Sequence, residues 1–535
     1  MSEGQTMTEN NNTYINSAAD IPPSPPKPTF SAGEIVTAFL SLLFGYGFVK
    51  LVMTMHYGIG ASIFFLAFML FAIIFLTKSG VSFKAGNLVS LGVIFAFSLS
   101  FLLSNDPLVN FLNSLLVPAM IAYWIYSVCY GIGSIREKLY YDFTKSVFAV
   151  PFGNFGTCAT GISASARKTG NGKNIFLAIM GLIVAIPLTL VVIGLLSSSD
   201  AMFESVFEDI FENFGMHAII FIVQVMIGVP IAFYLFGLLY GSVHKTTAEA
   251  TDEYCENASA KRRILSDILL CSAVTPICIL YVIFFVIQVP YFLSAFTNTL
   301  PDGYSYAEYA RRGFFELSTV AVINLCAIAV MQAFSKKKEG KTSRGVSVYT
   351  IILSAFTLLL IATALSKMFM YIGNYGLTLK RLHTTWFMIL LALVFVMIII
   401  RAAVKKFNLA KGITYAFVVM MAILTFGDFH GNIVRYNVYA YQNGMIDNID
   451  ISMFYKLSDE AARYAVPLLE DEDLNVARDA ATYIADSVNA SEYEDIRGFN
   501  IPEYVFRQSH TEYSDAEEVF YERVEKLYPH SFIFV

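Results

Sequence analysis

The sequence predicts an all-α protein: a polytopic membrane helix bundle of about eleven transmembrane helices, then a small acidic, mainly helical, extracytoplasmic domain. Three observations predict it. Of 535 residues, 56% are hydrophobic and only 15% charged, against about 25% charged in soluble domains. Apolar runs long enough for a hydrocarbon core of about 30 Å recur along the chain. Lys and Arg gather in alternate connections, which orients the bundle.

The first 30 residues are polar, and "IPPSPPKP" favours extended, polyproline-like conformations. They read as a disordered cytoplasmic tail with no cleavable signal peptide. Spans follow near 32–53, 58–77, 86–104, 108–130, 174–196, 217–241, 267–290, 313–334, 347–370, 382–403 and 410–427. The first and last have the least distinct ends. "VFAVPFGNFGTCATGI" (147–162) is apolar but broken by Gly and Pro, so it reads as a loop folded on the bundle or as a re-entrant segment.

Cytoplasmic loops hold the excess of basic residues in membrane proteins. With the N-terminus inside, 22 of the 28 Lys and Arg residues before position 428 fall in inner segments. The connection "SSSDAMFESVFEDIFENFG", which has no Lys or Arg, then falls outside. An odd number of spans puts the C-terminus outside as well. The bundle occupies 31–427 and the extracytoplasmic domain 428–535.

That last region differs in kind. It holds 21 acidic and 8 basic residues, a net of −13 in a chain whose total is −6. "LNVARDAATYIADSVN" spaces its apolar residues at three and four, as an amphipathic helix does. Glu470–Asp473 lacks the alternating ligands and glycine of a calcium loop and suits the negative start of the next helix.

Several chemistries lack their motifs. "EGKTS" has Ser335 where a phosphate loop needs its first glycine, and it follows a Lys run rather than a strand. HExxH, GxSxG and a complete GxGxxG are absent. The six cysteines show no CxxC spacing. Six of seven histidines, among them His383 and His430, fall on the outer side without the spacing of a ligand pair. No metal, cofactor or nucleic-acid partner is expected, and no catalytic residue can be assigned.

One cluster stands out against the positive-inside pattern. In "YAEYARRGFFEL", Glu308, Arg312 and Glu316 share a helix face, while Arg311 points about 100° away. "SKMFMYIGNYGLTLKRLHTTW" brings Lys367, Tyr371, Tyr375, Lys380 and Arg381 to the same outer boundary, and "GDFHGNIVRYN" adds Arg435. Polar side chains within a bundle tend to mark function. Interfacial tyrosines and snorkelling cations give the competing account. Arg forks suit phosphate and carboxylate, so these ten residues are the candidate ligand site, with Arg311 and Arg381 as its anion-binding pair.

These stretches, with "VRYN", a following acidic "ID" and "AVPLLE", resemble a large family of uncharacterised bacterial multi-pass membrane proteins, a domain of unknown function of the 4153/4173 kind, over roughly residues 170–470. The resemblance implies architecture and bacterial origin but no reaction, and the expected location is a bacterial plasma membrane. The expected work is transport, flipping or sensing of an anionic envelope component, such as a lipid headgroup or polymer precursor. The alternatives are a transferase-type membrane enzyme using Glu316 or Glu308 as base, and a scaffold recruiting an envelope protein through 428–535. Few charged residues lie at mid-span, which favours sensing or outer-face chemistry over ion-coupled transport.

Overall fold

The computed structural model describes residues 30–53, 57–166, 191–200, 216–297, 314–336, 343–489, 496–508 and 516–527, with isolated positions between 181 and 202. Ten helices among these residues are long and apolar enough to cross a membrane. They are α1 (Ala32–Phe48, continued by a π turn to Met53), α2 (Ile59–Lys78), α3 (Ala85–Leu103), α4 (Pro107–Cys129), α5 (Met216–Val243), α6 (Asp267–Thr297), α7 (Phe314–Phe334), α8 (Arg344–Tyr375), α9 (Leu379–Ala403) and α10 (Leu409–Phe426). Each coincides with an expected span. The expected span at 174–196 and the tail at 1–29 lie mostly or wholly outside the described residues.

Among the described residues the bundle has two large apolar cores and a smaller cluster where α1, α5 and the 157–166 helix meet. One joins α1–α4 with α5 and α10 around Phe65, Phe97, Trp124 and Leu239. The other joins α6–α9 around Leu353, Met388 and Phe395. Trp386 Nε1 donates to Met420 O at 2.7 Å and ties the two together. Within lipid, small residues let helices approach and polar side chains join them. A Cβ at Gly45 would lie 2.1 Å from Gly228 O, so the α1–α5 crossing requires glycine there. In the second core, Tyr281 Oη donates to Asn324 Oδ1 (2.8 Å), and Asn324 Nδ2 donates to Thr357 Oγ1 (2.9 Å), linking α6, α7 and α8.

The connections sort onto two ends. At one end Lys84 Nζ reaches Gly131 O, Arg136 pairs with Asp142 and Glu249, Arg401 pairs with Glu137, and Leu265 joins Ser335. The 147–162 segment lies there too, as short helices Val150–Gly153 and Thr157–Ala166 packed on α1 and α5. The α1–α2, α3–α4 and α8–α9 connections and the C-terminal region share the other end: Ile59 N donates to Phe499 O (2.8 Å) and Arg497 Nη1 to Lys50 O (3.0 Å).

Among the described residues the C-terminal region comprises α11 (Phe429–Gln442), four 3₁₀ turns (Ile451–Lys456, Asp459–Tyr464, Val466–Glu470 and Ile496–Gly498), α12 (Leu474–Asn489), α13 (Ile501–Gln508) and α14 (Ala516–Leu527). It has its own core of Val434, Phe454, Leu468, Ile484, Phe506 and Phe520. Asp473 caps α12, its Oδ1 accepting from Asn475 N at 2.9 Å, so the acidic run serves the helix start. Arg523 donates to Leu469 O (2.6 Å) and Asp471 O (2.5 Å), fastening α14.

Candidate functional site

The site begins with a helix cap. In "SNDPLV", Asp106 precedes the proline that opens α4, and its Oδ1 accepts from Leu108 N (2.8 Å) and Val109 N (3.1 Å). Oδ2 is then left to face the neighbouring elements. His430, in the first turn of α11, places Nε2 3.2 Å from it in an aligned hydrogen bond. His383, just past the first turn of α9, also brings Nε2 to 3.2 Å, but without forming an aligned hydrogen bond.

The tautomer of His430 follows from its other nitrogen. Ser458 N, which can only donate, lies 2.8 Å from His430 Nδ1. Nδ1 is therefore the acceptor and Nε2 carries the proton given to Asp106. One imidazole thus joins the α3–α4 turn to the Ser458 segment of the C-terminal region. Burial works to raise the Asp106 pKa, but His383, His430 and the Val109 amide act more strongly the other way and hold the carboxyl well below the ordinary carboxylate range.

Beside this junction lies a cavity of about 250 Å³. The α3–α4 turn, the α10–α11 junction, Ser458, Glu460, Arg463 and α13 all line it. Asp428 caps α11, with Oδ1 accepting from Gly431 N (2.9 Å), and its Oδ2 accepts from Tyr464 Oη (3.1 Å) and lies 3.6 Å from Arg463. Glu460 is only 6% exposed; its Oε1 accepts from Ser458 Oγ (2.7 Å), while Oε2 has no partner. Arg463 Nε is likewise buried without one. Native proteins rarely leave such atoms vacant.

Glu308, Arg311 and Arg312 lie outside the described residues. Glu316 is exposed, and buried Lys367 lies in the field of its carboxylate. Arg381 is engaged locally. Its Nη1 donates to Tyr375 O (2.8 Å) and Gly376 O at the end of α8, and Cζ sits 3.9 Å over the Tyr371 ring. Tyr371 and Tyr375 meet edge to face, 5.3 Å apart. Lys380 is exposed. Arg435 is exposed, stacks 4.4 Å over Tyr464 and donates to Asn432 Oδ1 at 3.3 Å. Among the described residues no group of three or more His, Cys, Asp or Glu side chains is arranged to hold a metal.

Fold and site together define a polytopic α-helical membrane protein with a cavity between one bundle end and its C-terminal region. The chain belongs to the family described as a domain of unknown function, DUF4153, which matches residues 91–468. The match begins about 80 residues earlier than the motifs indicated and takes in Asp106, His383, His430, Glu460 and Arg463, though not α13. No curated protein and no solved structure matches the chain.

Proposed function

We propose that the protein is a receptor in a bacterial plasma membrane, sensing a small envelope component in the outward-facing cavity beneath its C-terminal region. The single observation that carries this reading is the shared lining: the α3–α4 turn and the α10–α11 junction meet Ser458, Glu460, Arg463 and α13 around one space. A ligand there touches bundle and C-terminal region at once, so binding must bias how they sit. The interior below favours sensing over transport. Asn113 closes on Ser100 (3.0 Å) and Thr425 (3.2 Å), and fully buried Val117, Ile121 and Ile125 follow on α4. The engagement of both His430 nitrogens argues against a free catalytic base at that residue.

The orientation is part of the proposal and rests on the Lys and Arg distribution. In a cysteine-free background, a cysteine at Ser452 should react with an impermeant maleimide on intact cells and one at Ser79 should not; both positions are exposed, at opposite ends. The reverse pattern would place the cavity in the cytoplasm.

The receptor reading is tested in nanodiscs against L-alanine, glycerol 3-phosphate, inorganic phosphate and glycerol. One of them should raise the melting temperature and slow amide exchange in both 104–109 and 458–463. Val505→Trp, which projects a larger ring from the cavity wall, should abolish the effect. Failure of all four, or protection on one side only, would sink the receptor.

A further inference from the structure

We infer that the cavity ligand is a zwitterion of the amino-acid class, its ammonium held by Glu460 Oε2, its carboxylate by Arg463 Nε and its apolar side chain by the facing wall. This rests on the receptor reading and specifies its ligand.

Three carboxylates line the cavity, and two are already satisfied. Asp106 takes two backbone amides on one oxygen and His430 on the other. Asp428 takes the Gly431 amide and the Tyr464 hydroxyl. Glu460 has one oxygen occupied by Ser458 Oγ and the other buried and empty, on a residue only 6% exposed. A buried acceptor of that kind is costly unless a donor reaches it, and a charged donor makes the stronger bond.

Arg463 supplies the opposite pole. Asp459–Tyr464 is a 3₁₀ turn, in which positions i and i+3 eclipse, so Glu460 and Arg463 stand on one face. Yet they do not pair with one another: the ion-pair partner of Arg463 is Asp428, and Nε stays vacant. A vacant acceptor and a vacant donor, three residues apart on one face of this turn, call for a ligand bearing both signs.

The remaining surface sets size and polarity. Leu103, Leu424, Phe426, Ile501 and Val505 form an apolar wall. At about 250 Å³ the space falls short of the roughly 300–1,000 Å³ of drug-sized sites. One doubly charged end and one small apolar end describe an α-amino acid with an aliphatic side chain. An anion alone would face the carboxylate excess, and a cation alone would leave Arg463 Nε vacant.

The test uses the full chain in nanodiscs and L-alanine, with ethylamine, propionate and glycerol 3-phosphate as the single-charge comparisons. L-Alanine should raise the melting temperature, and each comparison should bind at least about tenfold more weakly. Glu460→Gln, which turns an acceptor toward a donor, should weaken L-alanine by about tenfold or more, and Arg463→Gln by a smaller factor. If Glu460→Gln does not fold, the ligand comparison on the unaltered chain decides. Binding of L-alanine that ignores Glu460→Gln, or no binding at millimolar concentration, overturns the inference, with water then filling the vacancies. If glycerol 3-phosphate binds instead and Val505→Trp blocks it, the receptor stands and this inference falls. L-Alanine binding that survives Val505→Trp lies elsewhere, and both fall.

Discussion

Asp106→Ala is expected to cost about 2–4 kcal/mol, the sum of a lost helix cap at about 1 and a buried donor left empty at about 1–3. The carboxylate fills two posts that no other side chain reaches: it caps α4 and it receives the His430 proton. Asp106→Asn should keep the cap, because its amide oxygen still accepts from Leu108 N and Val109 N, but it sets an NH₂ donor against the His430 N–H and so loses the junction alone. Denaturation in a membrane mimetic gives the magnitude and hydrogen exchange gives the place. Faster exchange should appear in 458–463 and α13 and not in α6–α8, which belong to the other core. A uniform loss, or none, would show that Asp106 does not hold the C-terminal region. The pH dependence has a definite sign. A carboxyl depressed in the folded state contributes stability above its unfolded value and loses it as pH falls through the folded one. The Asp106 contribution should therefore be full above the ordinary carboxylate range, decline as pH falls through that range, and be gone once the folded carboxyl itself protonates in stronger acid.

The spans were legible because membrane-crossing helices announce themselves by length and apolarity, and ten appear where the hydropathy puts them. Their ends were less so: α8 runs on to Tyr375, held past its apolar stretch by a turn that the periodicity does not encode. The cavity was hardly legible at all. Asp106 and His430 are 324 positions apart, and neither shows a spacing that points to the other. The one local signal, Asp before Pro in "SNDPLV", marks a helix start. Loop charge puts His383 and His430 at the same end of the bundle, but their convergence on one carboxylate oxygen needed the fold. Glu460 and Arg463 sit in an acidic region and look like solvated charge until their burial is seen.

Arg381→Ala is expected to destabilise the chain by about 1–3 kcal/mol, from hydrogen bonds made by a charged group and a cation–π contact, and to leave L-alanine binding unchanged. Sequence alone makes Arg381 an attractive anion ligand, because the loop-charge reading expects it on the outer side, against the bias. The fold gives its guanidinium another partner. Helix α8 ends at Gly376, whose φ of +75° suits glycine, and the last carbonyls of a helix lack intrahelical donors. Arg381 supplies them at Tyr375 and Gly376, with Tyr371 beneath. Asn437 of α11 then grips the same turn, accepting from Leu377 N (2.6 Å) and donating to Leu377 O (2.9 Å). A Cβ at Gly376 would stand 2.5 Å from the Asn437 oxygen. The stretch "YIGNYGLTLKRL" is thus a built corner that docks the C-terminal region onto α8 and α9. Arg381→Lys should recover only part of the loss, since an ammonium cannot reproduce the planar fork over the ring. Should Arg381→Ala instead keep full stability and abolish binding of anionic lipid, the guanidinium serves a ligand and the corner needs another explanation.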